Sequence, residues 1–345
     1  MNILLLNDEF YMTGASAALY HLGVHLLKAG HNVSVMPRIA GDGEIKNRYI
    51  EAGIPVVTTA EKVDLAIANT VALGEAVAKF GQQVPIIWWL HEAEMGRTML
   101  MKTPELANGF RKAAHIVFQT TYQKEVYHTF LFDARTDVSV VPFWSETVYQ
   151  KRPMPKPARN GKRRIVAIGT LEPRKRTQDV VAAIESMHDK NLIECTLVGK
   201  DLNLLDANTT AIIHNNPGRY LVAGELSADA TLETLASADV FVLASESESQ
   251  PLSIFEAFEL GVPACISALD TYRHIGISHG RHALMHPTGN TAVLASNIRT
   301  LLTDKAVRHG VVSGAKQLID EKRRIDWKIA FERIIEQACN MRKAA

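Results

Sequence analysis

Residues 1–36 read MNILLLNDEFYMTGASAALYHLGVHLLKAGHNVSVM, and this stretch decides the fold. Ile3 to Leu6 is an apolar run of strand length, and Asn7 to Gly14 is a polar turn containing glycine. A helical pattern follows from Ala15 to Ala29 and stops at Gly30, a residue type favoured just past a helix end. Asn32 to Met36 reads as a strand again. The unit is β-loop-α-β, with lengths suited to a parallel pair. Working outward, further strands are expected at Leu65–Ala68, Ile86–Leu90, Ile116–Gln119 and Val138–Val141, with helical stretches between most of them. That alternation predicts a doubly wound parallel sheet.

Residues 151–164 change character, with three prolines, seven Lys or Arg and no acid. They read as a linker. The pattern then restarts. Arg164–Gly169 is a strand ending in Gly, Thr170–Arg176 is a loop, and a helix begins near Asp179. Strands follow at Glu194–Val198, Arg219–Ala223, Val240–Leu243 and Ala264–Ser267. A last helix, Asp326 to Arg342, carries Trp327, Phe331, Ile334 and Ala338 on one face. The expected domains are 1–150, the linker 151–164, 165–325, and a closing helix 326–345. A length of 345 residues agrees with two domains of about 150 each.

Composition narrows the class. The chain is 47% hydrophobic and 22% charged, an ordinary globular balance. The formal net charge of +1 argues against a nucleic-acid-wrapping protein. Cys195, Cys265 and Cys339 are scattered and form no CxxC, which fits a reducing compartment. No secretory leader is read at the start, and no apolar stretch approaches the roughly 18 residues of a membrane span. A cytoplasmic protein is expected.

Four segments carry candidate chemistry. In Ser245–Pro263 a strand gives way to a polar loop and then to a helix expected to start near Ser253. Glu248 lies in the loop and Glu256 in the first helical turn. Between them, the backbone N–H groups of Leu252, Ser253 and Ile254 form a natural phosphate cradle. The competing reading is a capping box from Ser253 to Glu256, with Glu246 and Glu248 as solvated loop acids. In Gly169–Arg176, the adjacent cations Arg174 and Lys175 suit a diphosphate, against an exposed basic turn. In Trp88-Trp89-Leu90-His91, a strand delivers a His to the edge where open α/β sheets bind ligands, against a capping His. In Thr13–Ser16, Gly14 allows close backbone approach, but no GxGxxG is present, so dinucleotide binding is disfavoured.

Together these segments resemble the retaining nucleotide-sugar glycosyltransferases of family 4, which have the GT-B fold. The resemblance rests on the E-x7-E motif Glu248 to Glu256 with Ala257 and Leu260-Gly261-Val262-Pro263. The Gly169-Thr-Leu-Glu-Pro-Arg-Lys175 loop, the strand-end His91, and Val140-Val-Pro142 before the linker add to it. It implies two Rossmann-like doubly wound α/β domains facing a cleft, with a C-terminal helix crossing back to the N-domain. It implies that Glu248 contacts the donor-sugar hydroxyls and Glu256 the ribose. Arg174 and Lys175 would hold the diphosphate, and Gly14 would place N–H groups beside it. His91 would touch the donor sugar near the reacting centre. Thr170, Gln250, Pro251, Leu252 and Ser253 complete the implied nucleotide-sugar site. Thr170 stands where many members carry Arg, and Ser249-Gln250-Pro251 replaces the common Gly-Phe-Gly.

The implied activity is transfer of a sugar from a nucleotide diphosphate sugar to a glycan, lipid-linked or small-molecule hydroxyl, in polysaccharide or glycoconjugate synthesis. His91, Glu248, Arg174 and Lys175 are the expected catalytic set. No D-x-D occurs, so no metal is implied and no cofactor beyond the donor is expected. Two alternatives stay open: a non-catalytic binding protein on this architecture, and a sugar-nucleotide epimerase. The basic strip at 151–164 reads either as a solvated hinge or as a contact for an anionic membrane face; no nucleic-acid partner is expected.

Overall fold

The computed structural model describes all residues except 12, 133–135, 145–160, 201–203 and 345, and only the backbone of 341–344. The chain forms two compact units, Met1–Ser145 with Ile325–Ala345, and Glu146–Arg324.

The first unit is built on a six-stranded parallel sheet. Its strands are β1 (Asn2–Asn7), β2 (Asn32–Pro37), β3 (Leu65–Asn69), β4 (Ile86–Trp89), β5 (His115–Phe118) and β6 (Asp137–Val140). Their spatial order is β2-β1-β3-β4-β5-β6. The inner strands β3 and β4 are buried along their whole length, so they read as largely apolar runs, whereas the edge strands β2 and β6 are partly exposed and alternate. Side-chain alternation along β4 sends Trp88 to one core layer, against Phe110 at 4.8 Å between ring centroids. Trp89 goes to the opposite layer, where it meets Trp327 and Phe331 of the last helix, Trp327–Ala344. That helix therefore belongs to the first unit, and its apolar face is buried at Trp327, Phe331, Ile334 and Ala338.

The second unit repeats the plan. Its strands are β7 (Arg163–Ile168), β8 (Ile193–Val198), β9 (Tyr220–Gly224), β10 (Val240–Leu243), β11 (Ala264–Ser267) and β12 (Leu284–His286). All pair in parallel, in the order β12-β11-β10-β7-β8-β9. The chain leaves the β9 edge and resumes at β10 on the other side of β7, so the strand order switches between β7 and β10. A crevice at such a point is where open α/β sheets hold ligands.

Two expectations need correction. Arg163, read as part of the linker, belongs to β7, which so begins one residue before the strand expected from Arg164. Asp239 explains this: it accepts the Arg164 backbone N–H at 2.9 Å and lies 3.4 Å from the guanidinium groups of Arg163 and Arg308. The rest of the linker, up to residue 160, falls outside the described residues. β12 was not anticipated, because three residues are too few to carry a pattern.

Glycine is required where β7 and β8 end. Gly199 has φ +149°, and a Cβ there would lie 1.9 Å from the Gly169 carbonyl oxygen. Gly199→Ala is expected to cost about 1–3 kcal/mol in backbone strain alone, with a fall in Tm of several degrees. Gly218→Ala, whose Cβ meets nothing within 4 Å, is expected to leave Tm unchanged. Differential scanning calorimetry of the two variants checks this.

Candidate active site

In the second unit, β7 delivers the chain to Gly169 and the loop that follows. A 3-10 turn, Pro173–Lys175, then presents adjacent cations, and Arg176 closes it in the left-handed region at φ 51°. Backbone bonds fix this loop from two sides. The Leu171 N–H donates to Lys200 O at 2.9 Å, and the Glu246 N–H donates to Arg174 O at 2.9 Å. The loops after β7 and β10 are thus tied together at the switch point. A small pocket there is lined by Gly169, Leu171, Lys175 and Thr177 with the ends of β7 and β10.

Lys175 Nζ donates to Glu248 Oε1 at 2.6 Å, and Arg174 Nη1 lies 3.7 Å from Glu248 Oε2. Only 9% of the Glu248 side chain is exposed. Burial alone would raise its pKa, but the charges of Lys175 and then Arg174 outweigh it and hold the carboxyl below its ordinary value. Glu248 is therefore ionised at neutral pH and paired, not a solvated loop acid. Glu246 is the exposed one, 3.6 Å from Arg176. Arg174 also donates to Ser247 O at 2.7 Å and to Glu172 at 2.6 Å, while its Nε has no partner among the described residues. The loop is pinned from a third side by the Thr271 hydroxyl, which donates to Ser249 O at 2.6 Å.

The helix carrying the second acid runs Leu252–Glu259 and starts one residue earlier than expected, with Pro251 as N-cap. The Ile254 N–H is already paired with Pro251 O at 3.3 Å. Leu252 and Ser253 remain as the helix-end donors. Ser253 is not the cap and no side chain caps this helix, so the capping box does not form. The Glu256 carboxyl makes no hydrogen bond to the described residues, and burial pushes its pKa up to about 7. Gln250 and Pro251, just before this helix, are buried, and Thr170 is half-buried between Gly169 and Leu171.

In the first unit, Gly14 opens the helix Gly14–Lys28, but Thr13 is the cap, its hydroxyl accepting the Ser16 N–H at 3.1 Å. His91 follows β4 and is buried. Desolvation lowers its pKa to about 3, so the imidazole is neutral. Gln119 Nε2 donates to His91 Nδ1 at 3.0 Å, which leaves the proton on Nε2. Sequence reasoning missed the framework around it. Glu92 accepts the Val71 N–H at 3.1 Å and the His91 N–H at 3.3 Å, and burial raises its pKa to about 7. Gln123 donates to the carbonyls of Leu90 and Glu92 and accepts the Gln119 N–H. The one available signal was the i, i+4 pair Gln119 and Gln123 beside a helix cap at Thr120.

The two readings of Glu256 now make opposite forecasts. A buried carboxyl raised to about 7 destabilises the fold increasingly as pH rises from about 4.5 through 7. Glu256→Gln is expected to melt at least as high as wild type at pH 8, with a smaller difference at pH 5. A capping role would instead lower Tm at both pH values. Thermal melts at the two pH values check this.

Comparison with known proteins agrees with the geometry. A family model described as glycosyl transferases group 1 matches residues 150–318, and one described as glycosyl-transferase family 4 matches residues 1–136. The chain is 25% identical over 272 residues to N-acetyl-alpha-D-glucosaminyl L-malate synthase of Bacillus anthracis, covering 75% of this chain and 69% of that protein. Its fold is similar to that of Anabaena HepE solved in complex with UDP. The TM-score is 0.77 at 17% identity, covering 97% of this chain and 99% of that one. Sucrose-phosphate synthase of Thermosynechococcus elongatus matches with a TM-score of 0.75 at 16% identity, over 100% of both chains. Between them the two models cover most of both units and the E-x7-E segment, and the chain belongs to the family 4 glycosyltransferases of GT-B fold.

Proposed function

We propose that this glycosyltransferase takes a nucleoside diphosphate sugar as donor and transfers the sugar with retention, without a metal. The observation that carries the proposal is the Lys175–Glu248–Arg174 cluster at the β7/β10 switch point. It sits in the same segment as a helix N-terminus that no side chain caps. Lys175, Arg174 and the N–H groups of Leu252 and Ser253 bind the diphosphate. Glu248, kept ionised by those cations, accepts hydrogen bonds from hydroxyls of the transferred sugar. Glu256, ionised above about pH 7, accepts from the ribose.

As the anomeric C–O bond breaks, its electron pair goes to the diphosphate. The cations stabilise that developing charge, which is electrostatic preorganisation. The acceptor hydroxyl attacks the same face of the sugar, and its proton passes to the departing phosphate oxygen. No residue is assigned as a covalent nucleophile. His91, neutral with its proton on Nε2, donates to the sugar. UDP in the HepE complex makes UDP-sugars the first donors to test. The acceptor, a glycan or a lipid-linked hydroxyl, is assigned to the first unit. None of the helices among the described residues is long and apolar enough to cross a membrane. Contact with an anionic membrane face would fall to the basic strip at 151–164. Co-sedimentation with anionic but not neutral vesicles supports that contact, and equal binding to both removes it.

Arg174→Ala and Lys175→Ala are each expected to lower kcat/KM about a hundredfold, with Tm within a few degrees of wild type. Turnover of UDP-glucose and UDP-N-acetylglucosamine, after a thermal-shift screen for donor binding, checks this. Full activity in the double variant contradicts the assignment. Conversion of the donor in the absence of any acceptor to its epimer identifies the epimerase alternative instead.

A further inference from the structure

His91 is held at one nitrogen by Gln119, and its ring lies against the indole of Trp89, with centroids 4.7 Å apart and planes at 48°. Trp89 is completely buried, and its Nε1 has no hydrogen-bond partner among the described residues. Packing alone therefore fixes that indole. Its neighbours are Phe331 at 4.5 Å, Phe143 at 5.9 Å and Trp327 at 6.3 Å, the last nearly parallel at 29°. Trp327 and Phe143 brace one another at 5.0 Å, and Trp327 and Phe331 at 6.2 Å. Of the four rings around Trp89 among the described residues, two come from the last helix, more than two hundred residues away in sequence.

We propose that Trp327 and Phe331 of the last helix are positioning residues for His91, acting through the Trp89 indole. The proposal rests on the reading of His91 as a group used in transfer, and it adds the means by which the chain's final segment sets that group's orientation. With no hydrogen bond on the Trp89 indole among the described residues, loss of a neighbouring ring lets the indole shift, because buried rings without polar anchors are located by close packing. Water then reaches the imidazole, and the desolvation that keeps it neutral is relieved. Glu92 is next to His91 and accepts its N–H, and His21 packs on Phe143 at 6.0 Å. On the last helix, Lys328 sits 5.8 Å from the Trp327 ring, and Glu332 is taken up by His25 at 2.8 Å.

The test uses the full-length chain labelled with 15N-histidine, with the His91 imidazole signals assigned by their loss in His91→Gln. In wild type these signals are expected to show the Nε2–H tautomer and no titration between pH 5 and 8. In Phe331→Leu and Trp327→Ala the titration is expected to move into that window, toward about 6.5, and Trp327→Phe is expected to restore most of the wild-type behaviour. Phe331→Leu is the milder change and serves where Trp327→Ala does not fold. A folded Phe331→Leu variant with a lowered Tm but wild-type His91 signals and titration overturns the proposal, because the rings are then core packing only. Turnover of UDP-glucose by His91→Gln separates the underlying reading. Wild-type turnover there removes His91 from the reaction, while the imidazole signals still decide whether the last helix positions it.

Discussion

The arrangement of the loops after β7 and β10 in the second unit centres on one ion pair, Lys175 to Glu248 at 2.6 Å, reinforced by Arg174. Placing a carboxylate where only 9% of its side chain meets solvent is unfavourable unless cations compensate it, and such a pair contributes little net stability. Its effect lies elsewhere. The pair orders two cations at the end of β7, and on the proposed reading that ordering precedes donor binding. The loop geometry serves the same end. Gly169 and Gly199 allow the chain to cross itself at +150° and +149°, and the bond from the Glu246 N–H to Arg174 O carries the cations up to the acid that pairs with them.

The first unit solves a different problem. His91 sits where burial strips it of charge, and a neutral imidazole must have its tautomer fixed to act as a donor. Gln119 does that, and Gln123 and Glu92 hold the surrounding backbone. The strain at the end of β3 belongs to the same region. Thr70 has φ 66° and ψ 155°, a region that β-branched residues rarely occupy. Its carbonyl accepts the Trp88 indole N–H at 2.7 Å, and its N–H donates to Trp89 O. The strained residue is thus tied to both tryptophans of the strand that delivers His91.

The strands were legible because parallel sheets covered on both faces demand continuous apolar runs, and Val240–Leu243 and Ala264–Ser267 stand where those runs end. β12 was not, because Leu284–His286 takes its strand character from pairing with β11 rather than from its own composition. The spacing of Glu248 and Glu256 was legible as a motif, but the local chemistry was misread around Ser253. Pro251 has φ −72°, already set for a helix entrance, and its carbonyl captures the Ile254 N–H, which moves the helix start forward and removes Ser253 from the cap. The His91 framework was hidden for another reason. Its longer bonds join residues 21 to 33 positions apart, and Glu92 and Gln119 beyond their strand ends and Gln123 in a short helix are each, alone, ordinary polar residues. Likewise the apolar face of the last helix could be read, but not that its target is Trp89.

The measurement that tests the central claim most directly is calorimetric UDP binding to Glu248→Gln, taken together with its turnover of a UDP-sugar. Glutamine keeps the shape of the side chain and removes the charge that competes for Lys175 and Arg174. The account predicts that UDP binds as tightly as to wild type or several-fold more tightly, while turnover falls about a hundredfold or more because the sugar loses its acceptor. Loss of UDP affinity, or wild-type turnover in this variant, would contradict it.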